Sequence, residues 1–437
     1  MRELNGDAAQ PAATAKQTLA DWLQWQQGLH SQEIDLGLER VRLVAERMAL
    51  LQPACPVITV GGTNGKGSCI AYLEAILQNA GYRVGVYTSP HMLRYNERVR
   101  IAGQEVEDAL LVEAFQRIDA ARGELSLTYF EFGTLAAFDL FTRADCDCWL
   151  LEVGLGGRLD AVNVLAADVA VLTSISLDHT DWLGSDRDSV AFEKAGIFRP
   201  ARPAIYAEQD IPASIVREAE RVGTTLYHVG RDYDFSQHAD TWSFQGPNDA
   251  WDDLPAPSLP GEHQYANAAA GLAALQLLAD RLPVPLAAVR RGLTEAILPG
   301  RLQKLPGALE WILDVAHNEA SVNVLAEYLA QQPIQGRCHA VFAQMQRKEL
   351  EPVLQRMASL VDVWWLLQLP DGDARAAAEV ASSMQRQGLL IGARDRADHL
   401  FEAVAAAAKP GDRVIVFGSF RTVEEALRYH ERVSEGG

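Results

Sequence analysis

A chain of 437 residues, 48% hydrophobic and 22% charged, has the makeup of a folded globular protein and is too long for a single core. Its formal charge of −19, with no dense basic patch, excludes nucleic acid as the main partner; an anionic ligand must find a local pocket of cations or backbone amides. No apolar run reaches membrane-spanning length, and Cys55, Cys69, Cys146, Cys148 and Cys338 are too few and scattered for a disulfide framework, so a reduced cytoplasm is the expected location, with no membrane partner.

Residues 1–16, "MRELNGDAAQPAATAK", lack the apolar stretch of a secretory signal and read as a flexible tail. A first domain is expected over residues 17–298. Pro56 to Val60 is a short apolar, β-branched run that predicts a strand. Ser68 to Asn79 carries Ile70, Leu73, Ile76 and Leu77 at helical spacing, with Gly81 as the stop. Tyr82 to Tyr87 predicts the next strand, and Leu110 to Ala121 and Phe132 to Phe141 predict helices. Cys148 to Val153 and Val169 to Ile175 are continuous apolar runs of the kind buried on both faces of a parallel sheet. Cys146 and Cys148 open the first of these runs and read as small core thiols, not metal ligands.

Tyr227 to Pro260, rich in Asp, Trp, Gln and Pro, breaks the alternation and predicts short antiparallel strands and loops. An alanine-rich helix follows at Gln264 to Leu282. Pro299 and Gly300 then mark a joint at Leu298 to Gln303. Beyond it, strands are predicted at Trp311 to Val315, His339 to Phe342, Val363 to Leu367 and Arg413 to Phe417, with helices from Ala320, Glu349, Ala374 and Leu400. The fold class is therefore α/β. A P-loop-type, mostly parallel ATPase domain precedes a smaller, Rossmann-like α/β domain over residues 301–437.

Between the first strand and helix lies Gly61-Gly62-Thr63-Asn64-Gly65-Lys66-Gly67-Ser68. Glycines let backbone N–H groups turn inward around phosphate oxygens, and the helix N-terminus adds partial positive charge. Lys66 supplies a full charge near the β and γ phosphates. The loop departs from the common G-x-x-x-x-G-K-[ST] pattern: Val60 replaces the first glycine, and the hydroxyl arrives one residue late, at Ser68.

Ligands of open parallel sheets bind at the C-terminal strand ends. Ser89 follows the strand ending at Tyr87, Glu152 closes the strand "CWLLEVG", and His179 follows "VAVLTSI". A hydroxyl, a carboxylate and an imidazole could thus hold a divalent metal beside the loop, with Ser89 replacing the displaced hydroxyl. Each also has a plainer role open to it. Ser89 could start a turn, Glu152 could pair with Arg158, and His179 could be a satisfied loop histidine.

The chain resembles the folylpolyglutamate synthase and dihydrofolate synthase enzymes, relatives of the Mur ligases. The resemblance rests on "GTNGKGS" (Gly62 to Ser68), "TSPH" (Thr88 to His91), "NERVRI" (Asn96 to Ile101), "LEVGLGGRLDAVN" (Leu151 to Asn163) and "LDHTDWLG" (Leu177 to Gly184). It continues with "EKAGI" (Glu193 to Ile197), "GEHQYANAAAGLAAL" (Gly261 to Leu275), "PGRLQ" (Pro299 to Gln303) and "DVAHN" (Asp314 to Asn318).

That resemblance implies a two-domain ligase in which ATP converts a carboxylate into an acyl phosphate and L-glutamate displaces the phosphate. It implies that Gly62, Thr63, Asn64, Gly65, Lys66, Gly67 and Ser68 bind ATP, with Asn267, Arg301 and Asp314 as further contacts. It implies Mg2+ on Ser89, Glu152 and His179, and a carbamylated Lys194 as a further anionic ligand. His317 and Ser419 are the expected glutamate contacts. Ile34, Asp35 and Leu36, with Thr128, Tyr129, Phe130 and Glu131, fall where a pterin-bearing acceptor is expected. The bifunctional enzyme, acting on dihydropteroate and on folates as a monomer, is the expected form. A monofunctional folylpolyglutamate synthase is the alternative, another Mur-type ligase a remoter one. A potassium requirement stays open.

Overall fold

A computed structural model describes residues 16–307 and 309–435. The tail expected over residues 1–16 lies outside them, apart from Lys16, whose Nζ meets Asp119 Oδ2 at 3.0 Å.

The first sheet has eight strands: β1 (Val57–Gly61), β2 (Val84–Tyr87), β3 (Val99–Ile101), β4 (Gln104–Glu105), β5 (Cys148–Glu152), β6 (Val169–Leu172), β7 (Pro203–Tyr206) and β8 (Thr225–His228). Their order is β4-β3-β2-β5-β1-β6-β7-β8. The six from β2 to β8 run parallel, and β3 and β4 form an antiparallel edge. Every residue of β1, β2, β5 and β6 is buried, as their unbroken apolar runs require. Helix Tyr129–Arg143 packs on one face of the sheet. Helix Lys66–Asn79 packs on the other, against helices His263–Leu277 and Leu286–Glu295. The irregular stretch forms a separate antiparallel sheet of β9 (Asp234–Gln237), β10 (Thr241–Gln245) and β11 (Ala250–Pro255), while Thr225–His228 instead extends the main sheet.

The second sheet contains β12 (Gln303–Leu305), β13 (Glu310–Leu313), β14 (Cys338–Phe342), β15 (Val363–Leu367), β16 (Ile391–Asp395) and β17 (Arg413–Phe417), in the order β12-β13-β17-β14-β15-β16. All but β12 run parallel. Two apolar clusters cover its faces, and Met92 of the first sheet's loops is buried in one of them. The α/β class with two mostly parallel sheets is thus observed. Among the described residues no helix is long and apolar enough to cross a membrane.

Candidate active site

The turn after β1 is held from behind by the segment after β6. Thr63 N–H donates to Ser174 O at 2.6 Å and Asn64 N–H to Ser174 Oγ at 3.0 Å. Thr63 Oγ1 also donates to Ser176 O and accepts from Ser176 N–H. These amides are therefore spent inside the protein, contrary to the expectation that the whole loop turns its N–H groups toward a ligand. The free donors are those of the helix start. Helix Lys66–Asn79 begins at Gly65 without a side-chain cap, so its first-turn amides remain available.

Two glycines make this turn possible. Gly62 has φ +142, and a Cβ there would fall 2.0 Å from Thr173 Oγ1. Gly65 has φ +87, and a Cβ would fall 2.4 Å from Asn267 Oδ1. The Asn267 side chain thus lies against the turn, held by Gln264 Oε1 at 3.0 Å. Lys66 Nζ bends back onto the carbonyls of Gly62 and Thr63, both at 3.2 Å.

A cavity of about 520 Å³ opens on this loop. Gly62 to Ser68, Ser89, Glu152, His179, Lys194 and Asn267 line it from the first sheet's side; Arg301, Asp314 and His317 line it from the second. Residues far apart in the sequence thus meet at the C-terminal ends of β1, β2, β5 and β6, as the switch-point rule anticipates.

Glu152 is buried and accepts the Ser89 N–H at 3.1 Å. Burial pushes its carboxyl upward, opposed by the charge of Lys66 and the Ser89 amide. Arg158, its possible partner from sequence, pairs instead with Glu218 at 2.9 Å. Partial burial and the ammonium of Lys348 push His179 down to about 4, which leaves a neutral imidazole. Glu152, which makes no ion pair among the described residues, a hydroxyl and a neutral imidazole on one wall fit a divalent cation. Among the described residues no three His, Cys, Asp or Glu side chains are arranged to hold a metal ion by themselves, so the hydroxyl is needed to complete such a set.

Lys194 is buried and donates to Gly62 O at 2.9 Å. Burial, then repulsion from Lys66, push its amine down to about 7. From the second sheet, Asp314 accepts the N–H groups of Leu302 and Ala316, both at 2.8 Å. Arg301 donates to the Gly300 carbonyl at 3.2 Å and lies over the Phe420 ring, 5.2 Å from its centroid. Among the described residues neither Lys66 nor Arg301 makes an ion pair: their polar contacts are backbone carbonyls. Two cations that face one cavity without a carboxylate in contact are a site for a polyanion.

Other expected residues lie outside the cavity lining. Ser419 is buried, and its hydroxyl caps a helix by accepting the Thr422 N–H at 3.1 Å while bonding Thr422 Oγ1 at 2.7 Å. Its neighbour Phe420 lines the cavity instead. Thr128 and Glu131 form a reciprocal capping box at the start of helix Tyr129–Arg143, which starts three residues earlier than its sequence pattern. Arg40 joins the two acceptor segments: NH1 meets Asp35 Oδ2 at 2.6 Å, and NH2 stands 3.2 Å from Glu131 Oε1. Ile34 and Leu36 flank Asp35 in sequence, Tyr129 packs edge-on against Tyr95, and Phe130 packs behind Gly154 of the cavity wall.

Sequence reasoning missed Asp178. Its carboxylate takes Lys348 Nζ, Asn318 Nδ2 at 3.0 Å and His317 Nε2 at 3.4 Å. Burial opposes the charged form, but His317 and Lys348 prevail and hold the carboxyl far below its usual range. The signal was present in "LDHTDWLG", where the aspartate precedes the histidine; its partners lie 140 and 170 residues away.

Comparison with known proteins agrees with this architecture. Residues 60–275 match the Mur ligase middle domain, and residues 300–420 match the Mur ligase glutamate ligase domain. A dihydrofolate synthase/folylpolyglutamate synthase of Escherichia coli (strain K12) is 44% identical over 423 residues, covering 97% of this chain and 98% of that protein. The structure of E. coli FolC in complex with DHPP and ADP superposes with a TM-score of 0.91 at 43% identity, covering 97% of this chain and all of that one. A bifunctional folylpolyglutamate synthase/dihydrofolate synthase with Mn, AMPPNP and L-glutamate bound gives a TM-score of 0.88 at 45% identity, covering 95% and 99%. On the sheet order, the loop, the cleft and these likenesses together, the chain belongs to the dihydrofolate synthase/folylpolyglutamate synthase family of Mur ligases.

Proposed function

We propose that this chain is an ATP-dependent amide ligase that joins L-glutamate to dihydropteroate, giving dihydrofolate, and to folates, giving polyglutamates. The observation that carries the reading is the pair of unpaired cations, Lys66 and Arg301, facing one cavity at an uncapped helix start.

An acceptor carboxylate is a poor acyl donor, because its leaving group would be oxide. An oxygen of that carboxylate attacks the γ-phosphorus of ATP, the bond to ADP breaks, and an acyl phosphate forms. Lys66, the first-turn amides and Arg301 neutralise charge on the phosphoryl oxygens as it shifts. Asn267 and Asp314 border the same nucleotide space. The amine of glutamate then attacks the acyl carbon and expels inorganic phosphate, which keeps one oxygen from the acceptor acid. His317 gives its Nδ1–H to Val315 O at 2.8 Å, which leaves Nε2 to take the proton lost by the incoming ammonium.

A Mg2+ ion on Ser89, Glu152 and His179, with a carbamylated Lys194 as an added anionic ligand, would supply further charge neutralisation. The first domain, residues 17–298, would hold ATP and acceptor; the second, residues 301–437, would present glutamate. Asp35 and Glu131, tied together by Arg40, would form the acceptor wall with Ile34, Leu36, Thr128, Tyr129 and Phe130. Ser419 would act by placing Phe420. The enzyme would work as a cytoplasmic monomer, a location in keeping with its five free cysteines.

The test supplies dihydropteroate, ATP and glutamate to the purified protein, with the acceptor carboxylate labelled with heavy oxygen. The expected products are dihydrofolate, ADP and labelled phosphate. No amide product rejects the synthase half, and unlabelled phosphate rejects the acyl phosphate.

A further inference from the structure

We propose that Asp178 is the latch that holds the second domain closed over the nucleotide loop, which makes it a positioning residue for glutamate capture. The inference rests on the ligase reading for its kinetic read-out, but not for its structural one.

Every side-chain partner that fixes this carboxylate, His179 excepted, comes from across the cleft: Lys348 Nζ, Asn318 Nδ2 and His317 Nε2. The contact is sheltered, with side-chain exposures of 9% for Asp178 and 14% for Lys348. Asn318 also reaches the nucleotide loop itself, since its side-chain amide and that of Asn64 bond each other at 3.3 Å. One small cluster therefore ties the second domain to the nucleotide loop and to the loop that carries His179.

The base under Asp178 is firm. Ile175, three residues before it, is clamped from both sides: its carbonyl accepts from Arg187 Nε and its N–H donates to Glu208 Oε2, both at 2.9 Å. Arg187 and Glu208 are themselves paired at 3.1 Å. The second joint has another character. Met92 is buried in the second domain's apolar cluster, where a Cβ on Gly300 would fall 2.5 Å from its Cε. Apolar contact is non-directional and survives a rotation, whereas a charge-assisted contact with Lys348 Nζ and Asn318 Nδ2 exists in one orientation only. Met92 thus serves as the pivot and Asp178 as the catch.

The test compares full-length wild type with Asp178→Asn, Lys348→Met and the double variant. Small-angle scattering is recorded with AMPPNP and Mn2+, glutamate KM is measured, and thermal melts check folding. The expected result is a larger radius of gyration in each variant and a rise in glutamate KM of about tenfold, against a change under about threefold in nucleotide Kd. The double variant should lose no more than the worse single one, because both remove the same contact. Lys348→Met reads the contact from the other side should Asp178→Asn fold poorly. Wild-type scattering in the folded variants, or losses that multiply in the double, overturns the latch. A chain that closes as expected but makes no amide overturns the ligase reading and leaves the latch standing.

Discussion

Lys194 donates its Nζ proton to the carbonyl of Gly62, 132 positions earlier in the chain, at 2.9 Å. The bond carries a buried amine to the back of the nucleotide loop, beside the charge of Lys66. Burial and that charge push the amine down to about 7 from an ordinary 10.5. The sign is that of a base disfavoured when charged. Below its folded value the site carries an unwelcome proton, and above it the amine is neutral and nucleophilic. Only a neutral amine adds to carbon dioxide, so the reactive fraction of the amine rises from roughly a tenth at about pH 6 to roughly nine-tenths at about pH 8, and carbamate loading at fixed bicarbonate should rise with it. Carbon-13 NMR of the protein under labelled bicarbonate reads this directly. Lys194→Arg should abolish the signal, and a profile flat across that range would remove Lys194 from this role.

Among the described residues Lys66 holds no carboxylate, only two backbone carbonyls of its own loop. Removing its ammonium should therefore leave the fold nearly untouched, with a change within about 1 kcal/mol. Lys66→Ala should nevertheless lower kcat/KM for ATP by about a thousandfold, because a full charge disappears from where phosphoryl charge develops. A denaturant melt and steady-state kinetics on one preparation separate the two effects. Wild-type ATP use in the folded variant would contradict the assignment.

The contrast between these two lysines explains what the sequence could reveal. Lys66 was legible because strand, glycine turn and helix are consecutive, so local pattern places its ammonium. Ser89, Glu152 and His179 were legible through a rule about strand ends, and they do line one cavity. The burial of Lys194 depends on packing from distant parts of the chain, and so do the partners of Asp178. Thr63 and Asn64 show the opposite error: the loop pattern assigned their amides to a ligand, but Ser174 consumes both. Helix boundaries shifted for a similar reason. Thr128 and Glu131 read as acceptor residues, while the same pair is a capping box that moves the helix start back to Tyr129.

Gly65 and Gly81 share a left-handed backbone, with φ of +87 and +92. A side chain at Gly81 meets nothing within 4 Å, while one at Gly65 meets Asn267 Oδ1 at 2.4 Å. Gly81→Ala should thus cost only the backbone term, about 1 kcal/mol. Gly65→Ala should cost more and also displace Asn267 from the cavity wall, so nucleotide affinity should fall in this variant alone. Calorimetric titration with AMPPNP checks the difference, and equal binding by both variants would refute the loop geometry.

His179 has φ +51, a left-handed conformation that a branched residue would resist and that asparagine accepts. His179→Asn therefore keeps the turn while removing the imidazole. The concentration of divalent ion giving half-maximal ATP use should rise by about ten- to a hundredfold, the scale of losing one metal-site partner. Metal titration at saturating ATP gives the value. An unchanged midpoint would take His179 out of the donor set.

Arg40 links Asp35 to Glu131 across the two segments assigned to the acceptor, and Glu131 is nearly inaccessible. Replacing Arg40 with methionine would keep much of the packing and leave a buried carboxylate without its cation. That should destabilise the first domain by about 3 kcal/mol, in the range for breaking one side of a buried pair. A second, compensating change tests whether charge is the cause: Arg40→Met with Glu131→Gln should recover most of the loss, because the helix cap survives in the amide. In kinetics the single variant should raise the acceptor KM while leaving the ATP KM unchanged, since among the described residues Arg40 bonds Asp35 and Glu131 and does not line the nucleotide cavity. A rise in both constants would show that Arg40 supports the whole domain and does not shape the acceptor wall.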